Sequence, residues 1–371
     1  MEIYFHKLLN ISLNIYHKNK DNKILQLILF IASIFFFIAY KIRLFLYKVK
    51  IIKTYSLPAY VISIGNISSG GTGKTSLTIE IAKYFLSHNA KVAILSRGYG
   101  SSNKDVTLVS DGVDILTDYE TCGDEAYLIA KKVPKALVFS GKDRVKSGGA
   151  AIKFGAEVLI LDDGFQYLRL NRNENILLLD NYNPFDNYCL LPAGKLRELP
   201  DSMKRASSII ISNSNINKLE DKDFNTVRKF TSNKPLGKIY YNIHQLVSLN
   251  TKKTLSIEDV RGLTSIACCG IGNPQSFLDI LKRNEIDIKS YLFYPDHYSY
   301  KYTDIEQMIT LAKKYGTENI IVTEKDAVKI EDLCQASPIN FWMTKIDTIL
   351  ETPNLFENIF ASYPYKAILN K

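Results

Sequence analysis

The residues whose types and spacing promise chemistry begin at 62–81, ISIGNISSGGTGKTSLTIEI. Gly70, Gly71 and Gly73 let the backbone turn through positive φ and approach a ligand closely, so that successive N–H groups converge on phosphate oxygens. Lys74 then reaches the outer phosphates, and Thr75 offers a hydroxyl to magnesium. A strict G-x-x-x-x-G-K-[ST] loop needs glycine at 68, where this chain has Ser68 followed by Ser69. The run Gly70, Gly71, Thr72, Gly73, Lys74, Thr75 is intact, so Ser68 alters how the chain enters the loop rather than what the loop binds. A magnesium site also needs a carboxylate on a neighbouring strand. EVLILDDGFQ supplies Asp162 and Asp163 after four apolar residues, where a strand emerges at the sheet's carboxyl edge.

Two kinds of phosphate-loop protein fit poorly. A GTPase needs D-x-x-G and [NT]-K-x-D, but position 161 is Leu, and in Thr323, Glu324, Lys325, Asp326 the lysine comes one place late. A ParA-like ATPase switch, here tethered to a membrane, is the alternative reading. It wants lysine where Ser69 stands. A kinase needs a base for the attacking hydroxyl and cations to balance the moving phosphoryl charge. TCGDEAYL offers Asp124 and Glu125, GKDRVKSG offers Lys142 and Arg144, and LPAGKLRE offers Arg197 and Glu198. YPDHYSY adds His297 beside Asp296, placed to orient a catalytic carboxylate.

These groups need a scaffold. Apolar runs at 60–64, 91–95, 136–139, 157–161, 175–179 and 208–211 alternate with helix-length segments, including an amphipathic stretch at 76–86. That alternation predicts a doubly wound, mostly parallel α/β sheet over 55–215. A polar connector with a β-hairpin about Asn250 to Lys253 is expected over 216–261. A second, smaller α/β unit follows over 262–371, opened by TSIACCGIGNPQSF with Pro274 in the first turn of a helix.

The charge of the 371-residue chain, +9, is uneven: residues 1–57 hold nine Lys and Arg against two acids, which is +7 of the total. A nucleic-acid reader would spread basic residues along a folded face. Here Lys7, Lys18, Lys20 and Lys23 precede, and Lys41, Arg43, Lys48, Lys50 and Lys53 follow, a seventeen-residue uncharged run at 24–40. The expected partner is an anionic membrane surface, contacted by an N-terminal helical segment over 1–54, and no nucleic acid or protein partner is indicated. Five cysteines without C-x-x-C spacing, beside a nucleotide loop, indicate a reducing compartment rather than a disulfide framework or zinc site.

Taken in order, G-N-x-x-x-G-G-T-G-K-T (65–75), S-R-G-Y-G (96–100), G-D-E (123–125), L-D-D-G-F-Q (161–166), L-P-A-G-x-L-R-E (191–198), G-I-G-N-P-x-x-F (270–277), Asp296 with His297, and T-E-K-D-A-V-K (323–329) resemble the tetraacyldisaccharide 4'-kinase family. The resemblance runs from about residue 55 to 330. It implies transfer of the ATP γ-phosphate to the 4'-hydroxyl of a lipid A disaccharide precursor, at the cytoplasmic face of the inner membrane. It implies Asp124 as the base and His297 as its partner. It also implies ATP held by residues 68–75, magnesium held among Thr75, Asp162, Asp163, Gln166 and Glu198, and phosphate contacts from Arg144 and Arg197. If Asp124 and His297 meet, the site lies between the two units.

Overall fold

The computed structural model describes residues 22–364, apart from 104, 217–219 and 232–233. Lys7, Lys18 and Lys20 of the basic N-terminal flank lie outside these residues. The described chain opens with helix α1 (Lys23–Lys48), capped by Asn22, whose side chain accepts a hydrogen bond from the Leu25 N–H. At 26 residues it runs about 39 Å, eight residues beyond the uncharged run. Among the described residues it is the one helix long and apolar enough to cross a membrane. Ile24, Leu27, Ile28, Phe35 and Ile42 stand more than half exposed, whereas Phe36 and Phe37 pack onto a core cluster holding Ile67, Phe165 and Leu196.

The predicted apolar runs emerge as β1 (Tyr60–Gly65), β2 (Val92–Ser96), β4 (Leu137–Ser140), β5 (Val158–Leu161), β6 (Glu174–Asp180) and β7 (Ser208–Ser212). All lie parallel, in the order β7-β6-β1-β5-β2-β4. Burial on both faces explains their continuous apolar character. A short strand that the apolar runs do not announce, β3 (Thr107–Asp111), closes the edge antiparallel to β4. Helices α2 (Lys74–Ser87), α3 (Tyr119–Cys122), α4 (Asp124–Lys132) and α5 (Arg144–Lys153) sit in the crossovers, and α2 buries Leu77, Ile81, Ala82 and Phe85.

After α6 (Asp221–Thr231), the 13-residue β8 (Leu236–Ser248) joins the two units. Its first residues pair parallel with β7, and the rest pairs antiparallel with β13 (Asn340–Leu350). It also forms a hairpin with β9 (Thr254–Ser256). The second unit stacks β11 (Asp287–Phe293), β10 (Thr264–Cys269) and β12 (Asn319–Val322) in parallel beyond β13. It carries α7 (Pro274–Arg283), α8 (Tyr302–Lys314) and α9 (Glu324–Ile330). The final described helix, α10 (Leu355–Ile359), returns to the first unit, where Phe360 and Tyr363 pack edge-on against Phe85. The units therefore share strand β8 and a C-terminal strap.

This topology gathers the chemistry. β1 is central, and the carboxyl ends of β1, β5, β2 and β4 open onto one edge, the position at which open α/β sheets bind ligands.

Candidate active site

The phosphate loop connects β1 to α2. Gly73 caps α2 at φ 86°, a left-handed conformation that favours glycine, and no acidic residue occupies the helix's first turn. The N-terminal dipole is thus unopposed, which suits an anion. A Cβ at Gly73 would lie 1.7 Å from the Tyr241 hydroxyl, which donates to the carbonyls of Gly73 (3.3 Å) and Thr72 (3.4 Å). Tyr241 belongs to β8, so the strand joining the units touches the loop directly. A second approach comes from the turn before α7: a Cβ at Gly272 would lie 2.8 Å from the Gly71 nitrogen.

Ser68 and Ser69 have a positive role. Ser68 bridges antiparallel to Leu196, and the Ser69 N–H and hydroxyl both donate to the Lys195 carbonyl, at 2.7 and 3.0 Å. The Arg197 N–H returns to the Ile67 carbonyl at 2.7 Å. These contacts stitch the 191–198 segment to the loop, and all but the Ser69 hydroxyl bond are made by the backbone.

That stitching delivers Arg197 to Asp163, with its Nη1 at 3.1 and 3.0 Å from the two carboxylate oxygens. Lys74 Nζ is 3.7 Å from the same carboxylate. Burial works against ionising Asp163, but Arg197 and Lys74 outweigh it and hold the acid well below the usual carboxylate range. Its neighbour behaves oppositely. Asp162 accepts hydrogen bonds from Thr75 (3.2 Å) and Thr78 (3.1 Å), and burial together with the charges of Glu125 and Asp163 pushes it up to about 7. Arg144 is buried beneath this pair; its Nη2 donates to the Asp162 carbonyl at 3.1 Å, and its guanidinium lies over the Tyr167 ring.

Gln166 and Glu198 are placed differently. The Gln166 amide donates to the Asn66 carbonyl at 2.8 Å. Glu198 accepts from Arg205 at 2.6 Å and from the Tyr40 hydroxyl of α1 at 3.0 Å. Arg43, also on α1, donates to the Gln166 carbonyl at 2.8 Å. Of the five residues expected around magnesium, Thr75, Asp162 and Asp163 come together, while Gln166 and Glu198 tie the foot of α1 to the catalytic edge. Among the described residues no group of three or more His, Cys, Asp and Glu side chains forms a ready cation cage.

The acceptor side is assembled from both units. Asp124 is the first residue of α4, one backbone hydrogen bond closing onto its own carboxylate from Glu125 at 2.9 Å. His297, held at φ 59° in the loop between β11 and α8, brings Nδ1 to 3.0 and 3.1 Å from the two Asp124 oxygens. Tyr99, from the SRGYG segment after β2, stacks on the imidazole with centroids 4.7 Å apart and a 22° interplanar angle. Burial again opposes charge on both partners. The His297 hydrogen bond and the cations Lys325 and Lys329 overcome it and lower the Asp124 pKa, while the Asp124 hydrogen bond overcomes it and raises that of His297.

Three groups here were not singled out from the sequence: Tyr99, Lys325 and Lys329. The lysines lie on α9, capped by the Thr323 hydroxyl, and their i, i+4 spacing puts both on one face. Lys329 Nζ is 3.8 Å and Lys325 Nζ 4.0 Å from Asp124. The α4–α9 seam is closed by Lys132 with Glu324, Lys131 with Glu331 and Lys325 with Glu125.

A phosphate loop, an acidic pair and a histidine-paired carboxylate therefore face one cleft edge, in the order along the chain that the motifs predict. The family described as Tetraacyldisaccharide-1-P 4'-kinase matches residues 25–363. The chain belongs to that family. Among its relatives, the Tetraacyldisaccharide 4'-kinase of Syntrophus aciditrophicus is 37% identical over 326 residues, covering 84% of this chain and 86% of that protein. The Tetraacyldisaccharide 4'-kinase of Pelobacter propionicus is 34% identical over 323 residues, covering 86% and 88%. The crystal structure of "apo" form LpxK from Aquifex aeolicus in complex with ATP has a TM-score of 0.72 at 30% identity, covering 91% of this chain and 99% of that one. Family membership thus spans the phosphate loop, both units and α1 together.

Proposed function

We propose that this chain is an ATP-dependent tetraacyldisaccharide 4'-kinase, transferring the γ-phosphoryl group of ATP to the 4'-hydroxyl of a tetraacyldisaccharide 1-phosphate in lipid A biosynthesis. The observation that carries the reading is the meeting of Asp124 with His297 at 3.0 Å across the two units, on the edge that bears the phosphate loop. A nucleotide switch needs no such base. A kinase does.

In this mechanism residues 68–75 bind the triphosphate, with Lys74 on its outer oxygens. Asp124 accepts the proton of the 4'-hydroxyl as that oxygen bonds to the γ-phosphorus, and the bond to the bridging oxygen breaks, its electron pair leaving with ADP. His297 orients Asp124 through Nδ1. Arg197 and Arg144 surround the developing charge from the side of the acidic pair. The oxygen donors Thr75 and Asp162, 3.2 Å apart, suit magnesium, which would neutralise charge on the phosphates. Residues 55–215 form the nucleotide half and the unit over 262–371, whose C-terminal strap returns to the first, brings the acceptor half, so that joining the two excludes water.

The lipid stays in its bilayer, and the enzyme comes to it through α1, at the cytoplasmic face of the inner membrane. The exposed apolar side chains of α1, the basic residues Lys41, Arg43 and Lys48 at its foot, and its ties to Glu198 and Gln166 support that orientation. Incubation of the purified protein with labelled ATP and the disaccharide lipid should put label into the organic-soluble product. Label released only as free phosphate would overturn the kinase in favour of a membrane-tethered ATPase switch.

A further inference from the structure

We propose that Lys325 is a positioning residue that fixes the tautomer of His297, holding the proton on Nδ1 so that Asp124 is oriented without being saddled with a full imidazolium. This inference rests on the assignment of Asp124 as base. Lys325 Nζ has three near neighbours: Asp296 Oδ1 at 3.0 Å, Glu125 Oε1 at 3.3 Å and His297 Nε2 at 3.3 Å. An ammonium has three N–H donors and no lone pair. Each donor therefore has one acceptor, and the third acceptor is a ring nitrogen. Nε2 then carries the lone pair, and the ring proton sits on Nδ1, where it is donated to Asp124 at 3.0 Å.

The surroundings make this arrangement matter. Around the ring lie Asp124 and Glu125 from α4, Asp296 from the same loop, Lys325 and Lys329 from α9, and the Tyr99 ring, itself beneath Arg97. The carboxylates of Asp296 and Glu125, 3.7 and 3.9 Å from Nε2, would welcome a second ring proton. Lys325 competes for both carboxylates while its charge opposes protonation of the ring, which offsets part of the upward shift that the Asp124 hydrogen bond gives His297. A neutral imidazole leaves Asp124 the stronger base, since a paired imidazolium would stabilise the carboxylate that has to accept a proton. Lys325 and His297 both belong to the second unit, and Asp124, which accepts the Nδ1 proton, belongs to the first, so the second unit presents the ring proton to the first.

The test has a variant-free arm and a variant arm. In wild-type enzyme labelled with 15N-histidine, with His297→Asn used to assign the signal among five histidines, the His297 resonances should show a pyrrole-like Nδ1 and a pyridine-like Nε2. Lys325→Met should reverse or average that signature, move the acid limb of the kcat–pH profile up by about one unit, and leave the KM for ATP unchanged. Lys325→Arg, which keeps charge and donors, should restore the limb towards its wild-type position. A wild-type spectrum with the proton on Nε2 would overturn the proposal even if Lys325→Met did not fold. So would a folded Lys325→Met enzyme that is slower but has an unmoved acid limb, since that is the behaviour of a lysine that merely holds the units together. Loss of the base assignment would appear separately, as an Asp124→Asn enzyme with undiminished transfer.

Discussion

The two ends of the reaction are built in opposite ways. The phosphate end is nearly contiguous: residues 68–75 supply the loop, and the acidic pair comes from the strand next to β1, with Thr75 and Asp162 already 3.2 Å apart. The acceptor end is assembled at long range: Asp124 and His297 are separated by 173 residues, and Lys325 reaches Glu125 across 200. The phosphate end takes its candidate ligating residues from one unit, whereas the acceptor end takes Asp124 from one and His297 from the other, across the α4–α9 seam. Nucleotide binding and transfer should therefore be separable by mutation.

The largest effect should come from breaking the phosphate end itself. Lys74→Ala should abolish transfer and strip most of the ATP affinity, measured by calorimetric titration, because no other side chain of the loop carries a positive charge. Arg197→Ala should follow, as it removes the Nη1 that meets both Asp163 oxygens and leaves only Lys74, at 3.7 Å, beside that carboxylate. Asp163 is part-buried and keeps Lys74, so the loss should be about 1–3 kcal/mol, read from denaturant midpoints at neutral pH. Its pH dependence has a definite sign. Asp163 is depressed in the folded state, so the stability it contributes is present above its unfolded pKa, about 3.9, and is lost as pH falls through the folded value. The gap between wild type and Arg197→Ala should therefore narrow on acidification below about pH 4. Gly272→Ala should have a smaller effect that sharpens the contrast. Its added Cβ would press on the Gly71 nitrogen from the second unit, and a shift of a few tenths of an ångström should weaken ATP binding by about tenfold, near 1.4 kcal/mol. An unchanged affinity would mean that the second unit does not bear on the loop.

The same division explains what was legible in the sequence. The sheet strands and the phosphate loop could be read because burial on both faces and the demand for glycine leave local signatures. Asp162 and Asp163 could be read from their place after an apolar run. Asp124 and His297 were nameable only through their motifs, because nothing local in DEAYL or YPDHY says that a topology of parallel crossovers will bring them together. The backbone pairing at Ser68 was hidden for a similar reason: its partner Leu196 comes from a segment over a hundred residues away. Lys325 was visible as a misplaced guanine-specificity lysine. Its i, i+4 spacing with Lys329 on a short capped helix was the signal that the two share a face, though not what that face meets. Strand β3 went unannounced because it is short, only half buried and at the sheet's edge. Glu198 and Gln166, grouped with magnesium by resemblance, hydrogen-bond to Arg205 with Tyr40, and to the Asn66 carbonyl, and the Tyr40 contact depends on how α1 docks.

The most direct test of the two-ended site is the ATP affinity of Asp124→Asn, measured by titration alongside its transfer rate. Transfer should fall by about 100- to 10,000-fold, as for a lost general base, while the Kd for ATP stays at the wild-type value. An Asp124→Asn enzyme that loses ATP affinity in step with activity would contradict the account, because Asp124 would then belong to the phosphate end.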